Sequence, residues 1–146
     1  MKKGFLGTLV YHLCRLLAGG VFFFAGAVKG ADVGAFAGEI ANYRMLPYFF
    51  NYLAAAVLPM VELMAGTLLL FNRRVRAAAL VVGGLNLVFI VALVSALLRG
   101  LDIGCGCFGP GDGGSSSLVE ALLRDLGLMA AIFLIWRLRG DNPLSQ

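Results

Sequence analysis

Cys105 and Cys107 stand one residue apart in the run Gly104-Cys105-Gly106-Cys107-Phe108-Gly109-Pro110, and they are the residues best placed by type and spacing to do chemistry. A disulfide between i and i+2 needs a backbone bend that brings the sulfurs into a narrow bonding geometry. Gly106 makes that bend accessible because it lacks a Cβ and tolerates positive φ. Gly104 and Gly109 loosen the flanks, and Phe108 and Pro110 shape the exit from the turn. A ring this small is strained, and strained, exposed disulfides are the easily reduced, catalytic or regulatory kind. Redox exchange is therefore the leading reading of the pair. A zinc site needs about four N or S ligands, whereas the other Cys and the only His, Cys14 and His12, fall near the opposite end of the apolar segments. A structural clip or two unpaired thiols is the third reading. Cys14, alone in an apolar run, is expected to behave as a small hydrophobe.

A second set of candidate residues is ionisable or polar and sits inside apolar segments, where such groups are costly and usually face a bundle interior. Counting inward at 1.5 Å per residue places Arg15 about 15 Å deep, Glu62 about 13 Å, Asn86 about 15 Å, and Arg124 with Asp125 about 18 Å. The formal charges of this layer cancel, as a low-dielectric interior requires of groups that stay ionised. The expectation is that Arg15 and Glu62 face each other, directly or through Asn86, with Arg124 and Asp125 completing the layer toward the outer side. His12, one turn below Arg15, either joins the layer or lies near the interface. The layer serves as polar glue between helices, as a ligand or proton-handling site, or as both.

The elements that must position these residues follow from composition. Of 146 residues, 60% are hydrophobic and only 14% charged, and the mean hydropathy is +0.90; a soluble domain is nearer half apolar and a quarter charged. Four segments are long enough to cross a bilayer core of about 30 Å: Gly4 to Val28, Tyr48 to Phe71, Ala77 to Leu98, and Leu118 to Trp136. The fourth is the most polar, with Glu120, Arg124 and Asp125 in its first turns, but Ser117 and Glu120 make a capping box ahead of its apolar run. Between the first two spans, Asp32 to Leu46 carries Val33, Phe36, Ala37, Ile40 and Tyr43 at helical spacing, with Pro47 as a stop. It reads as a short amphipathic helix at the membrane interface. The predicted fold is an all-α integral membrane four-helix bundle, one domain over residues 1–146, with a Gly- and Ser-rich outer loop at 99–117.

Lys2 and Lys3 before the first apolar run resemble a signal peptide, but His12 and Arg15 interrupt the run, so it reads as a retained span. Leu13 before Cys14 argues against lipidation. The net charge of +4 is spread over the ends of apolar segments, not gathered into a patch with aromatics, so nucleic acid is not an expected partner and the lipid bilayer is. Lys2, Lys3, Arg73, Arg74, Arg76, Arg137 and Arg139 collect on one side, against Lys29, Arg44 and Arg99 on the other. The positive-inside rule makes the first side cytoplasmic, with both termini there. The Cys-Gly-Cys loop then faces the periplasm or cell exterior, where disulfides form and persist.

Taken together these residues resemble the MauE branch of the DoxX-like four-helix membrane proteins. The resemblance rests on Arg15 with Ala18-Gly19-Gly20-Val21-Phe22 and Ala25-Gly26-Ala27-Val28-Lys29, then Tyr43-Arg44-Met45-Leu46-Pro47, Leu58-Pro59 with Glu62-Leu63 and Gly66, Cys105-Gly106-Cys107-Phe108-Gly109, and Arg124-Asp125. These motifs cover nearly the whole chain, and the cysteine motif is the most specific. The resemblance implies a redox-associated inner-membrane protein acting with a periplasmic thioredoxin-like partner in the maturation of disulfide-containing proteins. The general plan is similar to that of quinone-linked disulfide-generating membrane enzymes, which makes quinone a candidate cofactor, although no residue here specifies it. Those enzymes use a different cysteine spacing and a second external cysteine pair that this chain lacks. The sequence leaves open whether the chain is itself a thiol-disulfide oxidoreductase, a non-catalytic subunit or anchor that docks a periplasmic redox protein, or a small-solute transporter.

Overall fold

The computed structural model describes residues 2–101 and 118–140, and every regular element among them is a helix. In chain order these are α1 (Lys2–Ala31), α2 (Val33–Asn42), α3 (Tyr48–Leu70), α4 (Val75–Leu98) and α5 (Leu118–Gly140). Three stretches, Gly4–Ala31, Tyr48–Leu70 and Val75–Leu98, are long and apolar enough to cross a membrane. At 23 residues α5 has a comparable length, but Glu120, Arg124 and Asp125 lower its hydropathy. It packs along α1 and α4, so the four long helices close a ring in the order α1, α3, α4, α5. Large apolar side chains such as Phe5, Phe24, Met60, Met64, Val88 and Phe133 point outward. In water that much exposed apolar surface drives association; in a bilayer it is what the solvent requires. The expected four-helix bundle is therefore the observed fold.

The ends of the elements differ from the expected ones in ways the backbone explains. α1 runs on past Val28 through Lys29 to Ala31. The interfacial helix, expected to reach Leu46, stops at Asn42, because Arg44 takes the left-handed conformation at φ 50 and cannot continue a right-handed turn. Its start is capped as Asp residues cap best, with Asp32 Oδ1 accepting from the Ala35 N–H at 2.9 Å. Phe36 and Ala37 bury against Ala55 of α3, flanked by Val33, Ile40 and Leu58. The apolar face predicted for this helix is thus the one that docks it on the bundle. Between α3 and α4 the chain turns in four residues through Asn72 at φ 56 and Arg74 at φ 45. The Tyr11 hydroxyl of α1 donates to Asn72 Oδ1 at 2.9 Å and ties this turn down.

Register between α1 and α3 is set by small residues in close antiparallel contact. A Cβ on Gly66 would stand 2.7 Å from the Phe23 amide nitrogen, and one on Gly26 would stand 2.9 Å from both the Leu63 nitrogen and the Pro59 carbonyl oxygen. Glycine at these positions lets the two backbones approach, the packing mode that association in lipid favours. The largest apolar cluster, which includes Ala18, Phe22, Leu69, Val82 and Ile135, fills one half of the bundle, and Cys14 packs partly buried against it. A smaller cluster of Leu93, Ala96 and Ala121 closes the α4–α5 interface in the other half. On α4 and α5 the buried polar residues Asn86 and Asp125 fall between these two apolar zones.

Candidate functional site

The centre of the bundle is an ionic layer, and its composition follows from the direction in which helical side chains lean. A Cα–Cβ bond tilts toward its helix N-terminus, so in antiparallel helices two side chains meet when each reaches back along its own axis. Lys29, near the end of α1, reaches back into the bundle, and Glu62 of α3 reaches up toward it. Lys29 Nζ lies 2.9 Å from Glu62 Oε1, and both side chains are buried. The ammonium also sits over the Phe89 ring of α4, 4.4 Å from its centroid, and 5.1 Å from that of Phe36 on α2. Each such cation–π contact adds about 0.5–2 kcal/mol. Lys29 therefore gathers α2, α3 and α4 around the end of α1.

The expected pairing of Arg15 with Glu62 is overturned by the same geometry. Gly19 against Gly66 places Arg15 opposite the end of α3, and its side chain leans toward the start of α1, away from Glu62. Arg15 Nη1 donates instead to the carbonyl oxygens of Leu69 and Leu70, at 2.7 and 2.8 Å. These are among the last carbonyls of α3, which have no partner within their own helix and carry the negative end of its dipole. His12 Nδ1 lies 3.4 Å from Arg15 Nη2, so His12 belongs with this helix-end contact and not with Glu62. Asn86 does not bridge Arg15 and Glu62 either. Its Nδ2 donates to the backbone carbonyl of Asp125 at 2.7 Å and clamps α4 to α5.

Arg124 and Asp125 line the same cavity as Lys29 and Glu62. Arg124 Nη2 lies 3.2 Å from Asp125 Oδ1, with Asp125 buried and Arg124 about a third exposed. With Lys29 in place of Arg15 the layer still balances, Lys29 and Arg124 against Glu62 and Asp125. A small cavity of about 30 Å³ lies between Lys29, Glu62, Asn86, Phe89, Arg124 and Asp125. Toward the outer end, Arg99 Nη1 donates to the Tyr43 carbonyl at 2.8 Å and joins the end of α4 to the end of α2. Burial pushes the Tyr43 phenol up to about 12, helped by the nearby Glu39 and Asp125 carboxylates and opposed by Arg124.

Gly104, Cys105, Gly106, Cys107, Phe108, Gly109 and Pro110 lie outside the described residues, as does Ser117 of the proposed capping box. The described residues flanking them are Leu101 after α4 and Leu118 at the head of α5. Among the described residues no group of three or more His, Cys, Asp and Glu is arranged to hold a metal ion. Lys29 is the functional candidate that the layer, as read from sequence, omits. It stands on one stripe with Ala18, Phe22 and Ala25, spaced as residues of one helix face, and that periodicity is the signal that marks it as buried.

A bundle of apolar helices surrounding a charge-balanced polar layer defines a multi-pass membrane protein. The family described as methylamine utilisation protein MauE matches residues 7–138, and this chain belongs to it. A relative, the methylamine utilization protein MauE of Paracoccus denitrificans, is 35% identical over 109 residues, which are 74% of this chain and 59% of that protein. The alignment thus spans less than two thirds of the relative's length. No solved structure matches the chain.

Proposed function

We propose that this MauE-family chain is an inner-membrane thiol-disulfide redox protein whose Cys105–Cys107 pair exchanges electrons with a periplasmic thioredoxin-like partner during maturation of disulfide-containing proteins. The observation that carries the reading is the Cys-Gly-Cys motif on the segment joining α4 to α5 in a multi-pass member of this family. In the exchange, a partner thiolate attacks one sulfur of the oxidised pair, the intramolecular S–S bond breaks, and the other cysteine leaves as a thiolate. A second partner thiolate then resolves the mixed disulfide, so two electrons pass to the chain and the partner gains a disulfide. The reverse sequence carries the electron pair outward to a partner disulfide. The name of the Paracoccus relative ties the reading to methylamine utilisation.

Quinone is the membrane carrier that this reading would join to the pair. Trapping tests the proposal. A Cys105→Ser or Cys107→Ser variant expressed in its native host should accumulate a reducible mixed disulfide with a periplasmic protein. A Cys105→Ser/Cys107→Ser variant that inserts normally and supports full activity would replace the redox reading with that of a non-catalytic anchor.

A further inference from the structure

The ionic layer is held by two ion pairs, Lys29–Glu62 and Arg124–Asp125, and each pair uses one oxygen of its carboxylate. Among the described residues the other two oxygens, Glu62 Oε2 and Asp125 Oδ2, are buried and have no hydrogen-bond partner. Glu62 is 1% exposed and Asp125 4%, and both line the cavity of about 30 Å³. A buried carboxylate oxygen without a donor carries the desolvation cost of a charged group with no return. Two such oxygens, on residues that line one cavity, call for a ligand that donates at least two hydrogen bonds.

Charge and size limit what that ligand can be. Two cations already balance two carboxylates, so an added cation would leave one uncompensated charge in the membrane interior, which is expensive. A cavity holds a water once it has about 10–15 Å³ for it and offers two to four polar partners. We propose that this cavity is a specific water site, in which a water molecule donates to Glu62 Oε2 and Asp125 Oδ2 and joins the ion pair of α1 and α3 to that of α5. The bridge makes the layer one continuous polar network, and it gives α5, the most polar of the long helices, a reason to dock where it does.

Radiolytic hydroxylation in H2(18)O, with the full chain in lipid nanodiscs, reads bound water directly. The expected result is (18)O incorporation at Phe89 and Leu128, which line the cavity, several-fold above that at the outward-facing Phe23 and Phe24. Val21→Ile adds one methyl at the cavity wall and should abolish the excess label while the protein remains folded. Phe89 labelling no higher than at Phe23 and Phe24, or labelling that persists undiminished in a folded Val21→Ile variant, would overturn the proposal. Thermal melts in sodium chloride and in choline chloride of equal strength should coincide. A sodium-dependent rise in Tm would assign the cavity to a cation and overturn the water site.

Discussion

An ammonium and a carboxylate at 2.9 Å, each almost fully removed from solvent, hold each other in a state that neither could keep alone. Losing one member of such a pair leaves an uncompensated buried charge, at a cost of roughly 3–5 kcal/mol, whereas replacing both with apolar groups is often close to neutral. Lys29→Met and Glu62→Leu should each lower the Tm in detergent strongly, and the Lys29→Met/Glu62→Leu variant should recover most of the loss. Arg15→Leu combined with Glu62→Leu should instead show additive losses, because Arg15 spends its donors on the Leu69 and Leu70 carbonyls. Restoration of stability in that second pair would mean that Arg15 and Glu62 do interact. The participants at this scale were only partly legible in the sequence. Glu62, Asn86, Arg124 and Asp125 declare themselves by standing inside apolar runs, but depth measured at Cα says nothing of side-chain lean, and a lysine near a span end normally marks an interface. Tyr43 offers a pH test. Its phenol titrates near 12 in the folded protein and near 10 when unfolded, so the folded state binds the proton more tightly. The associated stability is present below about pH 10 and is lost as pH climbs toward 12. Denaturation profiles from pH 8 to 12 should fall over that window, and Tyr43→Phe should flatten part of the fall.

Helices in lipid gain little from the hydrophobic effect against one another, so the α1–α3 interface depends on close backbone approach. At Gly66 an added Cβ would meet backbone atoms, the Phe23 nitrogen at 2.7 Å and the Gly19 oxygen at 3.0 Å, and neither can rotate out of the way. Gly66→Ala should force the helices apart and cost about 1–3 kcal/mol as overpacking does. Gly20→Ala, at a position with no atom within 4 Å, should be neutral or slightly stabilising through helix propensity. Equal melting temperatures for the two variants would show that the contact does not govern packing. Element identities were legible from apolar run length, and the face of α2 from helical spacing. Its early end was not, because nothing in the order Tyr43-Arg44-Met45 announces that Arg44 will adopt positive φ. The tight α1–α3 contact was written in the sequence only as glycines, and which helix each would meet depends on tertiary register.

For the whole molecule, burial of Lys29 changes the charge balance from which orientation is argued. A lysine that is 3% exposed and paired with Glu62 does not present its charge to either membrane surface. Removing it leaves Arg44 and Arg99 on the side of the cysteine loop, against Lys2, Lys3, Arg73, Arg74, Arg76, Arg137 and Arg139 on the other. The positive-inside bias is stronger for the correction, since the rule counts Lys and Arg near span ends. Both termini are therefore expected in the cytoplasm and the loop bearing Cys105 and Cys107 outside. After mild reduction of intact spheroplasts, a membrane-impermeant maleimide should modify Cys105 and Cys107. Cys14, which packs partly buried on the main apolar cluster, should resist the reagent before and after the membrane is broken. Combining Cys14→Ala with a single loop cysteine separates the signals by mass. Modification of the loop cysteines only after lysis would invert the topology, put the pair in a reducing compartment, and withdraw the support that an oxidising location lends to a stable disulfide there.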